Sequence, residues 1–132
     1  MTTPSIDNGA IEALLRSVGV YQMEGYRSLS SADIEVKDDT SHGYSVVTEY
    51  DIETERRVFE FISERFPEYS FLGEENGNVR RDPKRYWILD PLDGTSNFTQ
   101  GVPFWGPSLA LWDEDGPERG WVYFPALDQM FF

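Results

Sequence analysis

The sequence predicts an α+β fold in which helices pack on a mainly antiparallel sheet. Two patterns carry that expectation. Apolar residues recur at helical spacing early in the chain, and short β-like runs separated by turn residues fill its later part. A third observation bounds it: 132 residues, 39% of them hydrophobic, suffice for one domain with a real core.

Ile11, Leu14, Leu15, Val18 and Tyr21 fall on one face of a helix expected over residues 6–28. The stretch SLSSADIEVKDDTSHGYS is polar and turn-rich and reads as a loop or hairpin, leading into a short strand, YSVVT. Thr48 and Asp51 have the spacing of a capping arrangement at the start of a second helix. Val58, Ile62 and Phe66 line that helix, and Pro67 stops it. YSFLG is the next strand candidate, closed by EENGN, and RYWIL is another. From Pro107 the pattern becomes a meander: SLALW, a DEDGPE turn, GWVYF, a PALD turn and QMFF. Finishing on Met130-Phe131-Phe132 leaves an apolar strand at an open edge, which natural sheets avoid, so a fold cut short is expected.

Charge narrows the function. Eleven Lys and Arg stand against 24 Asp and Glu, a net charge of −13. Such a surface repels nucleic acid and anionic membranes, and repels a phosphate ester too unless bound cations reverse the local field. No apolar run is long enough to span a membrane, and the N-terminal MTTPSIDNGA lacks the basic and apolar regions of a secretion signal. With no cysteine there is neither a disulfide framework nor a thiolate metal site, and a cytoplasmic location is expected. Most of the acids read as a solvated face.

The exceptions sit at the ends of apolar elements: Asp51 near the second helix start, Glu74 and Glu75 after FLG, and Asp90 and Asp93 after WIL. Strand ends gather on one rim of a sheet, so these clusters can share a site. Hard divalent cations take carboxylate and carbonyl oxygens. Pro91 favours a tight turn that points Asp90 and Asp93 the same way and exposes the Leu92 carbonyl. Gly94 permits unusual backbone angles, and Thr95, Ser96 and Asn97 suit a helix start whose free N–H groups would cradle a phosphate. Taken singly, Asp-Gly is a turn dipeptide, Glu-Glu a surface pair, and Asp51 equally a helix cap. The only histidine, His42, lies in a polar loop and is given no catalytic role. Trp105, Trp121 and Phe124 read as core, with a partner interface as the alternative.

At these residues the chain resembles the inositol monophosphatase family of magnesium-dependent, lithium-sensitive sugar-phosphate phosphatases. VVTEYDIETE, FPEYSFLGEE, WILDPLDGTSNFTQGVPFWGPSLAL and GWVYFPALDQMFF carry the likeness, and DPLDGTSNF matches the family signature DP(I/L)DGTxNF. The resemblance implies the layered α/β sugar-phosphatase fold and a phosphomonoesterase that attacks a sugar or inositol phosphate with metal-activated water. It implies Glu74, Asp90 and the Leu92 carbonyl around a first Mg2+, with Asp90 bridging to a second ion that Asp93 also binds. Glu75 takes a supporting place. Asp51 and Thr95, with Glu74, form the catalytic set that orients and deprotonates water, while Gly94, Thr95 and Asp93 meet the substrate. Lys37 corresponds to a lysine of a loop that is longer here, and receives no role.

Family members carry a second half with a further layer, another metal-ligating aspartate and most substrate-selecting residues. Residues 1–132 are therefore expected to form a single N-terminal domain of that kind, truncated and poorly active alone. The partners expected are a small phosphorylated metabolite and either a second copy or a complementing C-terminal half, with neither nucleic acid nor membrane. A non-catalytic remnant, or half of a split enzyme that binds cations or a partner, is the rival reading. Within the family, fructose-1,6-bisphosphatase, histidinol-phosphatase and nucleotide 3′-phosphatase activities share the motifs. TSNFTQGVPF leans towards the inositol monophosphatase-like branch.

Overall fold

The computed structural model describes residues 5–28, 34–39, 43–75 and 78–132, with the side chains of 28–48, 82 and 83 left aside. Helix α1 spans Asn8–Ser28. It starts two residues later than the periodicity predicts because Asp7 caps it, its Oδ1 accepting the Ala10 N–H at 3.2 Å. Ile11, Leu14, Leu15 and Val18 form its buried stripe. Strands β1 (Ile34–Asp39) and β2 (Gly43–Thr48) pair as an antiparallel hairpin, in which Lys37 lies opposite Ser45. The Lys37 side chain and all of His42 lie outside the described residues.

Helix α2, Glu49–Arg65, follows directly. Val58, Ile62 and Phe66 are buried as the spacing predicts, and the chain turns away at Pro67. Glu49 and Asp51 in the first turn and Arg65 in the last complement the helix dipole. A ladder of Glu53, Arg56, Arg57 and Glu60 runs along the helix, with Arg56 and Glu60 exposed and Glu53 and Arg57 half-buried.

A six-stranded sheet completes the fold: β3 (Tyr69–Gly73), β4 (Asn78–Val79), β5 (Asp82–Asp93), β6 (Gly106–Asp113), β7 (Gly116–Phe124) and β8 (Gln129–Phe131), with α3 (Thr95–Gln100) between β5 and β6. The strand order is β4-β3-β5-β6-β7-β8. Every pairing is antiparallel except that of β3 with β5. The predicted DEDGPE turn is tighter than its six residues suggest, since β6 keeps Asp113 and β7 begins at Gly116.

Alternate residues of a strand face opposite sides. Phe71, Trp87, Leu89, Leu109, Leu111, Trp121 and Tyr123 point under α1 and α2 and form one buried core with the helix stripes. A second cluster joins Leu92, Phe98 and Trp105 to Met23, Tyr26 and Tyr50. Trp105 and Trp121 are thus core residues, whereas Phe124 is half-buried against exposed Phe131. Among the described residues no helix is long and apolar enough to cross a membrane.

Candidate active site

The one parallel pairing builds the site. Gly73 of β3 lies opposite Leu89 of β5, so Glu74 and Asp90, the next residues of each chain, leave the same rim side by side. Neighbouring strands run about 4.8 Å apart, which brings two acids distant in sequence within range of each other. Trp87 and Leu89, fully buried, fix that end of β5 in the core.

Between Asp90 and Asp93 the expected tight turn is instead a bulge. The strand continues to Asp93, which pairs with Gly106, and the register shifts in between. A bulge bends a strand without reversing it, and Pro91 has no N–H to give the ladder. Leu92 is 1% exposed, and its N–H leans on Asp90 Oδ1 at 3.3 Å. The reversal comes at Gly94, whose φ of 85° suits glycine and where a Cβ would meet the Phe104 carbonyl oxygen at 2.6 Å. Helix α3 starts at the next residue and buries Phe98.

Asp51 reaches this rim from α2. It is 3% exposed, and the Thr95 hydroxyl lies 3.1 Å from its Oδ1 and 2.8 Å from the Leu92 carbonyl oxygen. One hydroxyl proton serves one of these acceptors at a time. Asp51 is therefore more than a surface cap, while the Thr48 half of the predicted capping pair lies outside the described side chains.

The acids act on one another. Burial, then Glu74 and Asp93, push the Asp90 carboxyl up to about 7, against a smaller opposing effect of the Leu92 N–H. Partial loss of hydration, then Glu75, Glu55, Asp51 and Asp93, raise Glu74. Among the described residues no three acids are gathered closely enough to grip an ion as they stand. Yet the donors are all oxygen, and repelling carboxylates resist ionisation unless positive charge joins them. Both facts fit a hard divalent cation.

Two further polar groups lie beneath the rim. Gln22 of α1, fully buried, donates from Nε2 to the Pro91 carbonyl at 2.8 Å and to Thr54 Oγ1 at 3.1 Å. Glu55 of α2, 1% exposed, accepts the Glu75 N–H at 2.9 Å. The sequence signal for Glu55 is its place on the stripe of Asp51, Val58 and Ile62, and Gln22 has the same signal on α1, four residues past Val18 on the stripe of Ile11 and Leu15.

The chain matches the inositol monophosphatase family over residues 5–132. It belongs to that family. Inositol monophosphatase 3 of Solanum lycopersicum is 42% identical over 90 residues, covering 65% of this chain and 34% of the relative. A histidinol-phosphatase of Chlorobaculum parvum is 40% identical over 90 residues, 64% of this chain and 33% of that protein. The solved Thermotoga maritima IMPase superposes with a TM-score of 0.77 at 31% identity, over 95% of this chain and 47% of its own. The matched segments cover only about a third of these curated relatives, and 95% of this chain covers 47% of the solved Thermotoga maritima structure. In this member of the inositol monophosphatase family, the signature segment Asp90–Phe98 runs from the bulged strand end through Gly94 into α3.

Proposed function

We propose that this chain supplies the metal-holding wall of a phosphomonoesterase that hydrolyses a sugar or inositol phosphate. The observation that carries the reading is the convergence, through the parallel β3–β5 pair, of Glu74, Asp90 and Asp93 with the Asp51–Thr95 hydrogen bond. Glu74, Asp90, Asp93 and the Leu92 carbonyl would hold Mg2+. When bound, Mg2+ supplies positive charge against the phosphoryl group and eases deprotonation of water. The Thr95 hydroxyl takes a proton from the attacking water as it passes its own to Asp51 Oδ1. The Gly94 and Thr95 N–H groups hold phosphate oxygens at the start of α3, and Asp93, exposed on the rim, lies where the ester arrives. The reading sets the chain in the cytoplasm as one N-terminal domain, residues 1–132, of a longer architecture.

Phosphate release from inositol 1-phosphate and histidinol phosphate, with Mg2+ supplied or chelated, tests this. The 132-residue chain is expected to turn over slowly. Its rate should rise with Mg2+ and fall at least about tenfold in Asp93→Asn. Rapid turnover indifferent to chelation and to Asp93→Asn overturns the reading.

One observation favours a second role. The row Leu72, Ile88 and Ala110 lies on the sheet face away from the helices, only half-buried, beside Val122 and Phe124. A half-covered apolar face suits a partner, either a second copy or a complementing half. Light scattering on the purified chain distinguishes a dimer from a monomer.

A further inference from the structure

We propose that Glu55 is a positioning residue, whose buried carboxylate fixes the turn that carries Glu74. This inference rests on the reading of Glu74 as a metal ligand. Asp51, Glu55, Val58 and Ile62 share one face of α2, so Glu55 occupies a core-facing position. A carboxylate there is unfavourable unless it is hydrogen-bonded. Its Oε1 accepts the Glu75 N–H at 2.9 Å, one residue beyond Glu74.

On the other side of Glu74, Gly73 is held by its sheet pairing opposite Leu89. Glu74 is itself exposed, and it sits between these two tethers. Fixing the backbone before and after a residue fixes the direction of its Cα–Cβ bond. Glu55 therefore aims Glu74 along the rim towards Asp90 without reaching a bound ion itself.

Gly73 makes the arrangement possible. A Cβ at this position would overlap the Glu55 carboxylate, so a side chain here would drive the carboxylate off the turn. The helix and the strand thus meet through a carboxylate seated against bare backbone. Neither partner of that contact touches substrate, and both act through Glu74.

Charge and reach are separable by substitution. Glu55→Asp keeps the charge and withdraws it by one methylene. Glu55→Gln keeps the reach and an acceptor oxygen but removes the charge. Gly73→Ala leaves Glu55 intact and displaces it. The probe is Mn2+, with free ion followed by electron paramagnetic resonance. Amide hydrogen exchange at Glu75 is measured in the metal-free chain, and thermal melting checks the fold.

Glu55→Asp and Gly73→Ala are expected to weaken Mn2+ binding about ten- to a hundredfold and to speed Glu75 exchange. Glu55→Gln should stay within a few-fold of wild type on both. A purely electrostatic contribution reverses the order, with Glu55→Asp binding normally and Glu55→Gln failing, and overturns the proposal. So do wild-type affinity and Glu75 protection in Glu55→Asp. If Glu55→Asp does not fold, Gly73→Ala decides by the same readings. If wild type binds no Mn2+, the metal reading falls. Glu75 exchange in the metal-free variants still judges whether Glu55 holds the turn, unchanged protection refuting it.

Discussion

Without metal, the melting temperature is expected to fall as the pH rises from about 5 to about 8, and Mg2+ is expected to restore it at the upper end. The Asp90 carboxyl titrates near 7 in the folded chain against an ordinary value of 3.8. A carboxyl raised by folding stabilises the folded chain while protonated. That contribution is complete below pH 3.8 and is lost as the pH climbs through about 7. Glu74, also raised, adds in the same direction. Glu53 opposes, because its salt bridges to Arg56 and Arg57 lower it from 4.5 to about 2, but its change falls below pH 4.5 and outside this window. Asp90→Asn should flatten the slope and melt above wild type at pH 8. Mg2+ binds ionised carboxylates, so its effect should grow with pH. At ten times its dissociation constant an ion adds about 1.4 kcal/mol, a rise of roughly 5 °C for a chain of this size. A melting temperature at pH 8 that ignores Mg2+ would count against the rim as a cation site.

This pH behaviour rests on an arrangement only half legible in the sequence. Local patterns were readable. The stripes of α1 and α2 and the meander from β6 to β8 each depend on residues near one another in the chain. The parallel partnership of β3 and β5 was not, because periodicity reports which side of a strand is buried and never which strand lies alongside. Without that pairing, FLGEE and WILDPLD are two acidic strand ends that can share a rim, with nothing to say that their strands are neighbours. At Pro91 the sequence predicts a turn and the structure has a bulge, since Asp-Pro-Leu-Asp has turn composition whichever way the chain then goes. The burial of Glu55 and Gln22 is hidden from the sequence for a third reason. Charged and amide side chains are mostly exposed, and only the completed packing shows that both are buried beneath the rim.

Gly106→Ala is expected to cost about 3 kcal/mol or more and to lower the melting temperature by roughly 10 °C. Gly106 is buried, and its φ is not positive, so conformational freedom does not explain the residue. The reason is closeness. A Cβ there would run into the Tyr123 carbonyl oxygen, with Pro125 Cδ only 3.0 Å away. A carbonyl oxygen within a paired strand cannot rotate aside as a side chain can, so β6 and β7 must part. Gly106 also pairs with Asp93, so the same shift would drag the rim of the candidate site and weaken Mg2+ binding along with stability. Gly101→Ala provides the contrast. Its φ of 77° disfavours a side chain, but nothing lies within 4 Å of the added methyl. That change should cost only about 1–2 kcal/mol and leave metal affinity alone. Urea denaturation of the two variants separates crowding from backbone preference. If Gly106→Ala proves no more damaging than Gly101→Ala, the close approach of β6 and β7 does not hold the rim in place.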